Sequence, residues 1–306
     1  MTKKAFSSLS ILIPTHNYDC TPLVDALHAQ LADLPCPCEI VVGDDGSSDE
    51  TVIARLQELE RRGQCHVYRV DQNVGRAEIR NRLGGVAHYD HLLFLDSDGV
   101  VVRDDFVKQY CKAAPFHDIV CGGIIHSSEA PDSSRILRYR YEKRAERNFT
   151  PESLNKAMRP PFRSFNFMIS HDVFMKHNFD ISFKGYGYED VLFGKVLRDA
   201  GHEIFHIDNP LQNEDIEPNP LFVEKTETAL QTLKEHEAEL ADDVRLLRHV
   251  SLLRRLHLLP LVKFAGRMLL QPIRKNLCSN RPWIGLFNIY KMMYYVGVVG
   301  NVGNIK

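Results

Sequence analysis

The stretch that decides the fold is His91-Leu92-Leu93-Phe94-Leu95-Asp96-Ser97-Asp98-Gly99. Its first five residues form an apolar run too short for a helix, which reads as a buried strand. The run stops on two carboxylates separated by one residue. If the chain turns tightly there, as Gly99 permits, both carboxylates face one small volume. Such a pair suits a hard divalent cation, Mg2+ or Mn2+, which takes oxygen ligands and keeps positions open for phosphate oxygens. Alone the triplet is ambiguous, because aspartates in turns also bond their own backbone.

Toward the N-terminus the same strand-then-polar-loop pattern repeats. Leu9 to Pro14 is a short apolar run closed by proline and followed by Thr15-His16-Asn17-Tyr18. From Pro22 to Ala32, Leu23, Val24, Leu27 and Leu31 recur at helical spacing, with Pro35 as the stop. Glu39 to Val42 is a second strand running into Gly43-Asp44-Asp45-Gly46-Ser47. Ser48-Asp49-Glu50 supplies capping chemistry for a helix to about Arg62. His66 to Val70 is a third strand, and a third helix begins at Gly75. Alternating strands and helices predict an α/β fold with a mostly parallel central sheet flanked by helices. Ligands of such sheets sit at the carboxyl ends of the strands. Thr15–Asn17, Asp44–Ser47, Asn73–Arg76 and Asp96–Asp98 are therefore expected to line one crevice.

Each loop carries usable chemistry beside a plainer role. A carboxylate at Asp44 or Asp45 can accept the imide N–H of a uracil or bond a ribose hydroxyl, or it can merely close a turn. Gly75-Arg76-x-x-x-Arg80-Asn81 opens a helix whose N–H groups and arginines favour phosphates, or which is a solvated surface helix. Further on come a helix near Asp104–Ala113, a strand at Ile119–Cys121, a basic helical segment Arg135–Arg147, and strands at Phe165–Ile169 and Ile204–Ile207. Gly185-Tyr186-Gly187-Tyr188 then opens a helix beginning Glu189-Asp190. A carboxylate there can deprotonate an acceptor hydroxyl, or it can complement the helix dipole.

Bulk composition narrows the class. With 306 residues, 44% of them hydrophobic, the chain can bury a sizeable core, and a net charge of −2 argues against nucleic-acid binding. Seven cysteines without a C-x-x-C pair are expected to be free thiols in a reducing cytoplasm. Met1-Thr2-Lys3-Lys4 leads into the first strand without a signal-peptide core, so a cytoplasmic chain is expected. From Val244 to Lys306 there are eleven Lys or Arg and no Asp or Glu. Leu246, Leu247, Val250, Leu253, Leu256 and Leu259 mix with Arg248, Arg254 and Arg255 there, the composition of an amphipathic helix on an anionic membrane. Met292 to Val296, interrupted beyond by Gly297 and Gly300, is too short to span a bilayer. The alternative for this tail is an ordinary helical subdomain.

In order and spacing, SILIPTHN, VVGDDGSSDET, QNVGRAEIRN, FLDSD and GYGYEDVLFGKVLRDAG resemble the inverting glycosyltransferases of family 2, over roughly residues 8 to 215. The resemblance implies a GT-A-type single α/β domain, a divalent metal, and direct displacement at the anomeric carbon of a nucleotide-diphospho-sugar. It makes Pro14 and His16 walls of the base pocket, Asp45 the base-recognising carboxylate with Asp44 in support, and Arg80 a phosphate contact. Asn73, Gly75 and Arg76 share that donor site. Asp96 and Asp98 match the metal motif, Asp98 the more direct ligand. Asp190 matches the catalytic base, with Glu189, Gly187 and Tyr188 toward acceptor or sugar. Relatives often place a histidine, a further metal or phosphate ligand, some twenty-odd residues beyond the Glu-Asp pair, where this sequence has Asn213-Glu214-Asp215, and His206 falls inside a strand.

The resulting expectation is a catalytic domain at 1–220 and a helical, basic C-terminal extension at 221–306 that attaches peripherally to the cytoplasmic face of the inner or plasma membrane. Its reaction is transfer from a UDP-sugar, or another nucleotide sugar, to a saccharide or lipid-linked saccharide in surface polysaccharide or glycolipid synthesis. A sugar nucleotidyltransferase would want a glycine-rich basic loop after the first strand, which Thr15-His16-Asn17-Tyr18 lacks. A non-catalytic nucleotide-sugar-binding module would not need Asp190 beside a metal pair.

Overall fold

The structure, a computed structural model, describes residues 6–34, 36–183 and 185–299. Pro35, Met1 to Lys4 and Gly300, each read above, lie outside the described residues. In chain order the elements are β1 (Leu9–Thr15), α1 (Thr21–Leu31), β2 (Cys38–Asp45), α2 (Glu50–Arg61), β3 (His66–Val70), α3 (Arg76–Val86), β4 (His91–Leu95), β5 (Gly99–Val101), α4 (Phe106–Ala113), β6 (Ile119–Cys121) and β7 (Ile124–His126). They continue with α5 (Ile136–Glu146), α6 (Pro151–Asn155), β8 (Asn166–Ser170), α7 (His171–Lys176), α8 (Glu189–Asp199), β9 (Phe205–His206), β10 (Leu211–Asn213), α9 (Asn219–Glu235), α10 (Glu237–Leu240), α11 (Arg245–Arg255), α12 (Leu259–Leu277) and α13 (Gly285–Val299).

The chain forms two compact units, and they interleave along the sequence. The first comprises 1–127, 148–182 and 193–214; the second comprises 128–147, 183–192 and 215–306.

A seven-stranded sheet in the order β3-β2-β1-β4-β8-β6-β9 builds the first unit. The pairs β3–β2, β2–β1, β1–β4 and β6–β9 are parallel, and β8 runs antiparallel to both its neighbours. Side chains alternate between the faces of a strand. Leu9, Ile11 and Ile13 of β1 accordingly enter one core with Leu23, Val24 and Leu27 of α1 and Leu56 and Leu59 of α2. Leu12 joins the opposite core with Phe94, Phe167, Phe174 and Phe193. Burial on both faces is why these strands read as continuous apolar runs. Helix α2 starts where expected, Asp49 accepting from the N–H groups of Thr51 and Val52.

A second sheet, β5-β10-β7, has no signature in the sequence pattern. Its strands have three residues each, too few for a periodic signal. It pins Asn213 between Gly99, antiparallel, and His126, parallel. Gly99 has no room for a side chain, since a Cβ would meet Leu211 Cδ2 at 2.1 Å.

The second unit is helical, with α9 packed on α5, α12 and α13. The apolar residues expected to face a membrane are largely spent on this core: Leu247 and Val250 are buried, and Leu246 and Leu259 pack against the same cluster. Leu252 and Leu256 stay exposed, and outward apolar surface continues onto the next helix. Leu261 (64% exposed), Phe264 (61%) and Met268 (64%) recur at i, i+3 and i+7 on α12, with exposed Leu256 and Leu258 just before it. No helix among the described residues is long and apolar enough to cross a membrane.

Candidate active site

The parallel run of β1, β2, β3 and β4 puts their carboxyl ends at one edge, and hydrogen bonds sew the following loops together. Asn17, at φ 50°, accepts through Oδ1 from the N–H groups of Ser48 (2.8 Å) and Asp49 (2.9 Å), while its own N–H donates to Ser47 Oγ (2.9 Å). His16 Nδ1 lies 2.7 Å from the Asp45 carbonyl oxygen, so the proton sits on Nδ1. Its Nε2 then accepts from Asn17 Nδ2 at 3.2 Å. Gly46, at φ 66°, lets the β2 loop touch Gln72, whose carbonyl carbon a Cβ would meet at 2.5 Å.

Asp44 and Asp45 are both buried and serve the backbone. Asp44 Oδ1 accepts from Ser47 N–H (3.0 Å), and its other oxygen faces Arg69 Nε at 3.9 Å. Asp45 accepts from Val74 N–H (2.7 Å) on one oxygen and from Gly75 N–H (3.1 Å) on the other. It thereby fixes the loop that launches α3, whose N-cap Gly75 has φ 95°.

One turn into α3 the two arginines converge on Asp96. Arg76 Nη2 donates to Oδ2 at 2.9 Å, and Arg80 Nη2 donates to Oδ1. Arg80 is only 1% exposed; its Nη1 donates to the Arg76 carbonyl (3.0 Å), and its guanidinium lies 5.8 Å from the Phe179 ring centroid. A buried guanidinium needs a charged partner, and Asp96 supplies it. Asp98, two residues on, meets Asn213 Nδ2 through Oδ2 at 3.4 Å, while Glu214 N–H reaches the Asp98 carbonyl at 3.4 Å.

Both Asp96 oxygens are held by guanidinium groups, and Asp98 is the second carboxylate at this strand end. Asn213 is 2% exposed, and among the described residues its Oδ1 is an acceptor with no hydrogen-bond partner. The described residues hold no group of three or more His, Cys, Asp and Glu side chains suited to a metal. Hard oxygen donors in small number fit Mg2+ or Mn2+, which fill their remaining positions with water and phosphate.

The acidic pair at the start of α8 belongs to the second unit. Gly187 (φ 96°) and Tyr188 (φ 70°) are successive left-handed residues, a costly conformation for tyrosine. A Cβ on Gly187 would meet Ala229 Cβ at 2.9 Å. Glu189 is buried, Asp190 is half-buried, and Asp190 Oδ1 accepts from Val191 N–H at 2.8 Å. Burial, then the nearby Tyr141 and Asp190, pushes the Tyr188 hydroxyl well above its ordinary range.

The structure thus gathers His16, Asp44, Asp45, Gly75, Arg76, Arg80, Asp96 and Asp98 at the carboxyl edge of the sheet. Asn73 is exposed in the loop before Gly75, while Pro14 is buried inside β1 opposite Gly43. Phe179 under Arg80 carried no sequence signal. Asn213 carried one, as a substitute where a histidine is usual.

A mostly parallel sheet flanked by helices, with a carboxylate pair ending one central strand, defines the GT-A class of nucleotide-sugar transferases. Residues 10–176 match the model of glycosyl transferase family 2, and the chain belongs to that family. No curated protein matches it. Among solved structures, residues 1–349 of S. aureus TarS in complex with UDP share 18% identity at a TM-score of 0.51, over 97% of this chain and 92% of that one. The mannosyltransferase PcManGT from Pyrobaculum calidifontis, in complex with GDP-Man and Mn2+, shares 13% identity at a TM-score of 0.55, over 97% and 88%. At these identities the likeness is one of fold.

Proposed function

We propose that the chain transfers a sugar, with inversion, from a nucleotide-diphospho-sugar, a UDP-sugar first, to a saccharide or lipid-linked saccharide in surface polysaccharide or glycolipid synthesis. The observation that carries this reading is the clasp of Asp96 by Arg76 and Arg80 beside Asp98, which sets two guanidinium groups and a cation-binding carboxylate at one strand end. Arg76, half exposed, is the contact for donor phosphate; Arg80 fixes Asp96. His16, Asn73, Gly75, Asp44 and Asp45 line the nucleoside side, with His16 and Gly75 bonded to Asp45, and Pro14 is a wall of the base pocket. Asp98, with Asp96, would hold Mg2+ or Mn2+, which when bound neutralises charge on the departing diphosphate.

Asp190 takes the proton from the acceptor hydroxyl as that oxygen attacks the anomeric carbon, while Glu189, Gly187 and Tyr188 orient acceptor or sugar. Catalysis is assigned to residues 1–220 and the extension to 221–306. For 244–306 we infer peripheral attachment to the anionic cytoplasmic face of the inner or plasma membrane, through Leu261, Phe264 and Met268 with Lys263 and Arg267 interleaved.

Release of free nucleoside diphosphate, measured over a panel of UDP- and GDP-sugars with and without Mn2+, tests the reading. Metal-dependent release from at least one donor, abolished in Asp98→Ala, is expected. No release from any donor with a broad acceptor panel, or equal release without metal, would overturn it.

A further inference from the structure

The last residue of β10 is held on both sides by strand pairing, to Gly99 and to His126. Its backbone therefore has little freedom, and what its side chain does is decided at the amide. Asn213 is 2% exposed, its Nδ2 stands 3.4 Å from Asp98 Oδ2, and its Oδ1 meets no donor among the described residues. A buried acceptor left unpaired is unfavourable, and native structures rarely keep one without a reason. The contact the amide makes with Asp98 is long for a hydrogen bond.

We propose that Asn213 is an oxygen ligand of the divalent cation that Asp98 binds, its amide turning over when the cation arrives. Carboxamide oxygen and nitrogen occupy nearly equivalent places, and a half-turn about the last side-chain bond exchanges donor for acceptor. Without a cation, the amide N–H faces the Asp98 carboxylate. A cation on that carboxylate reverses the local preference, because it repels the N–H and attracts the carbonyl oxygen. Two side-chain atoms 3.4 Å apart can both reach one ion, since metal–oxygen distances are about 2.0–2.2 Å for Mg2+. The turn also removes the unpaired acceptor. This inference rests on the metal-dependent reading of the site and adds a residue and a selectivity to it.

The selectivity follows from ligand chemistry. An amide oxygen is a hard donor suited to Mg2+ and Mn2+, whereas an imidazole at the same place favours Zn2+ and Co2+. Binding of Mn2+ to the full chain in the presence of UDP, followed by the loss of the free-ion electron paramagnetic resonance signal, reads the site without turnover. Competition with Mg2+ and Zn2+ then gives the preference. Asn213→Ala is expected to weaken Mn2+ binding about 10- to 100-fold. Asn213→His should raise the preference for Zn2+ over Mg2+ at least about tenfold relative to wild type, a readout a purely structural role would not move. If Asn213→Ala does not fold, the Asn213→His ratio carries the test. Wild-type binding with unchanged affinity and unchanged Zn2+/Mg2+ preference in both variants would overturn the role of Asn213 alone. Failure of the wild type to bind Mn2+ with or without UDP would overturn the metal site on which it rests.

Discussion

Arg80, a buried residue of α3, donates to Asp96 just past the end of β4, and this pair joins the helix that follows the third strand to the carboxylate that follows the fourth. The guanidinium has almost no access to water, so its charge is balanced by Asp96. Loss of one member of a buried pair strands the other. Arg80→Met is expected to lower unfolding stability by about 3 kcal/mol. Arg76→Met, removing a half-exposed partner of the same carboxylate, should cost less than about 1 kcal/mol. Urea midpoints of the two variants make the comparison, and equal losses would contradict it.

Asp45 makes a different kind of claim, because both its oxygens are engaged by the backbone of the next loop. Asp45→Ala should leave the N–H groups of Val74 and Gly75 without acceptors and speed their hydrogen exchange selectively. A change spread evenly over the sheet would contradict a local role.

The strands β1 to β4 and the loops after them were legible, because strands covered on both faces are short continuous apolar runs and the polar punctuation after each is abrupt. Other features had no comparable signal. Three-residue strands such as Gly99–Val101 and Leu211–Asn213 are set by pairing between residues more than a hundred positions apart. Leu247 and Val250 showed helical spacing, but spacing says only that a helix has an apolar face, and in the fold that face meets its own protein. Phe264 and Met268, one helix later, are exposed. Asp44 and Asp45 drew attention as carboxylates, yet which lone pairs the backbone uses is decided only when the turns close.

His206 is buried on β9, its Nε2 has no hydrogen-bond partner among the described residues, and burial lowers its pKa from 6.5 to about 4. The unfolded chain therefore binds this proton more readily than the folded one. Stability at neutral pH is unaffected; it falls as pH drops through 6.5, and the loss levels off near pH 4 at about 3 kcal/mol. His206→Gln should flatten that part of the pH–stability curve. An unchanged acid limb in the variant would contradict the assignment.

The membrane attachment we propose rests on exposed residues of α12. Phe264→Glu with Leu261→Glu, both at exposed positions, should reduce co-sedimentation with phosphatidylglycerol vesicles several-fold and leave the thermal midpoint unchanged. Equal pelleting of variant and wild type would contradict that placement, and pelleting with neutral phosphatidylcholine alone would contradict the part given to Lys263 and Arg267.

The most direct test of the central claim is the configuration of the sugar product together with the role of Asp190. Proton NMR of a turnover mixture, started from an α-linked nucleotide sugar that the donor panel has identified, reports the anomeric centre of the first-formed product. Inversion to the β configuration is predicted, with Asp190→Asn slowing turnover at least about a hundredfold while UDP affinity stays within a factor of two. Retention of the α configuration, or turnover by Asp190→Asn at the wild-type rate, would contradict it.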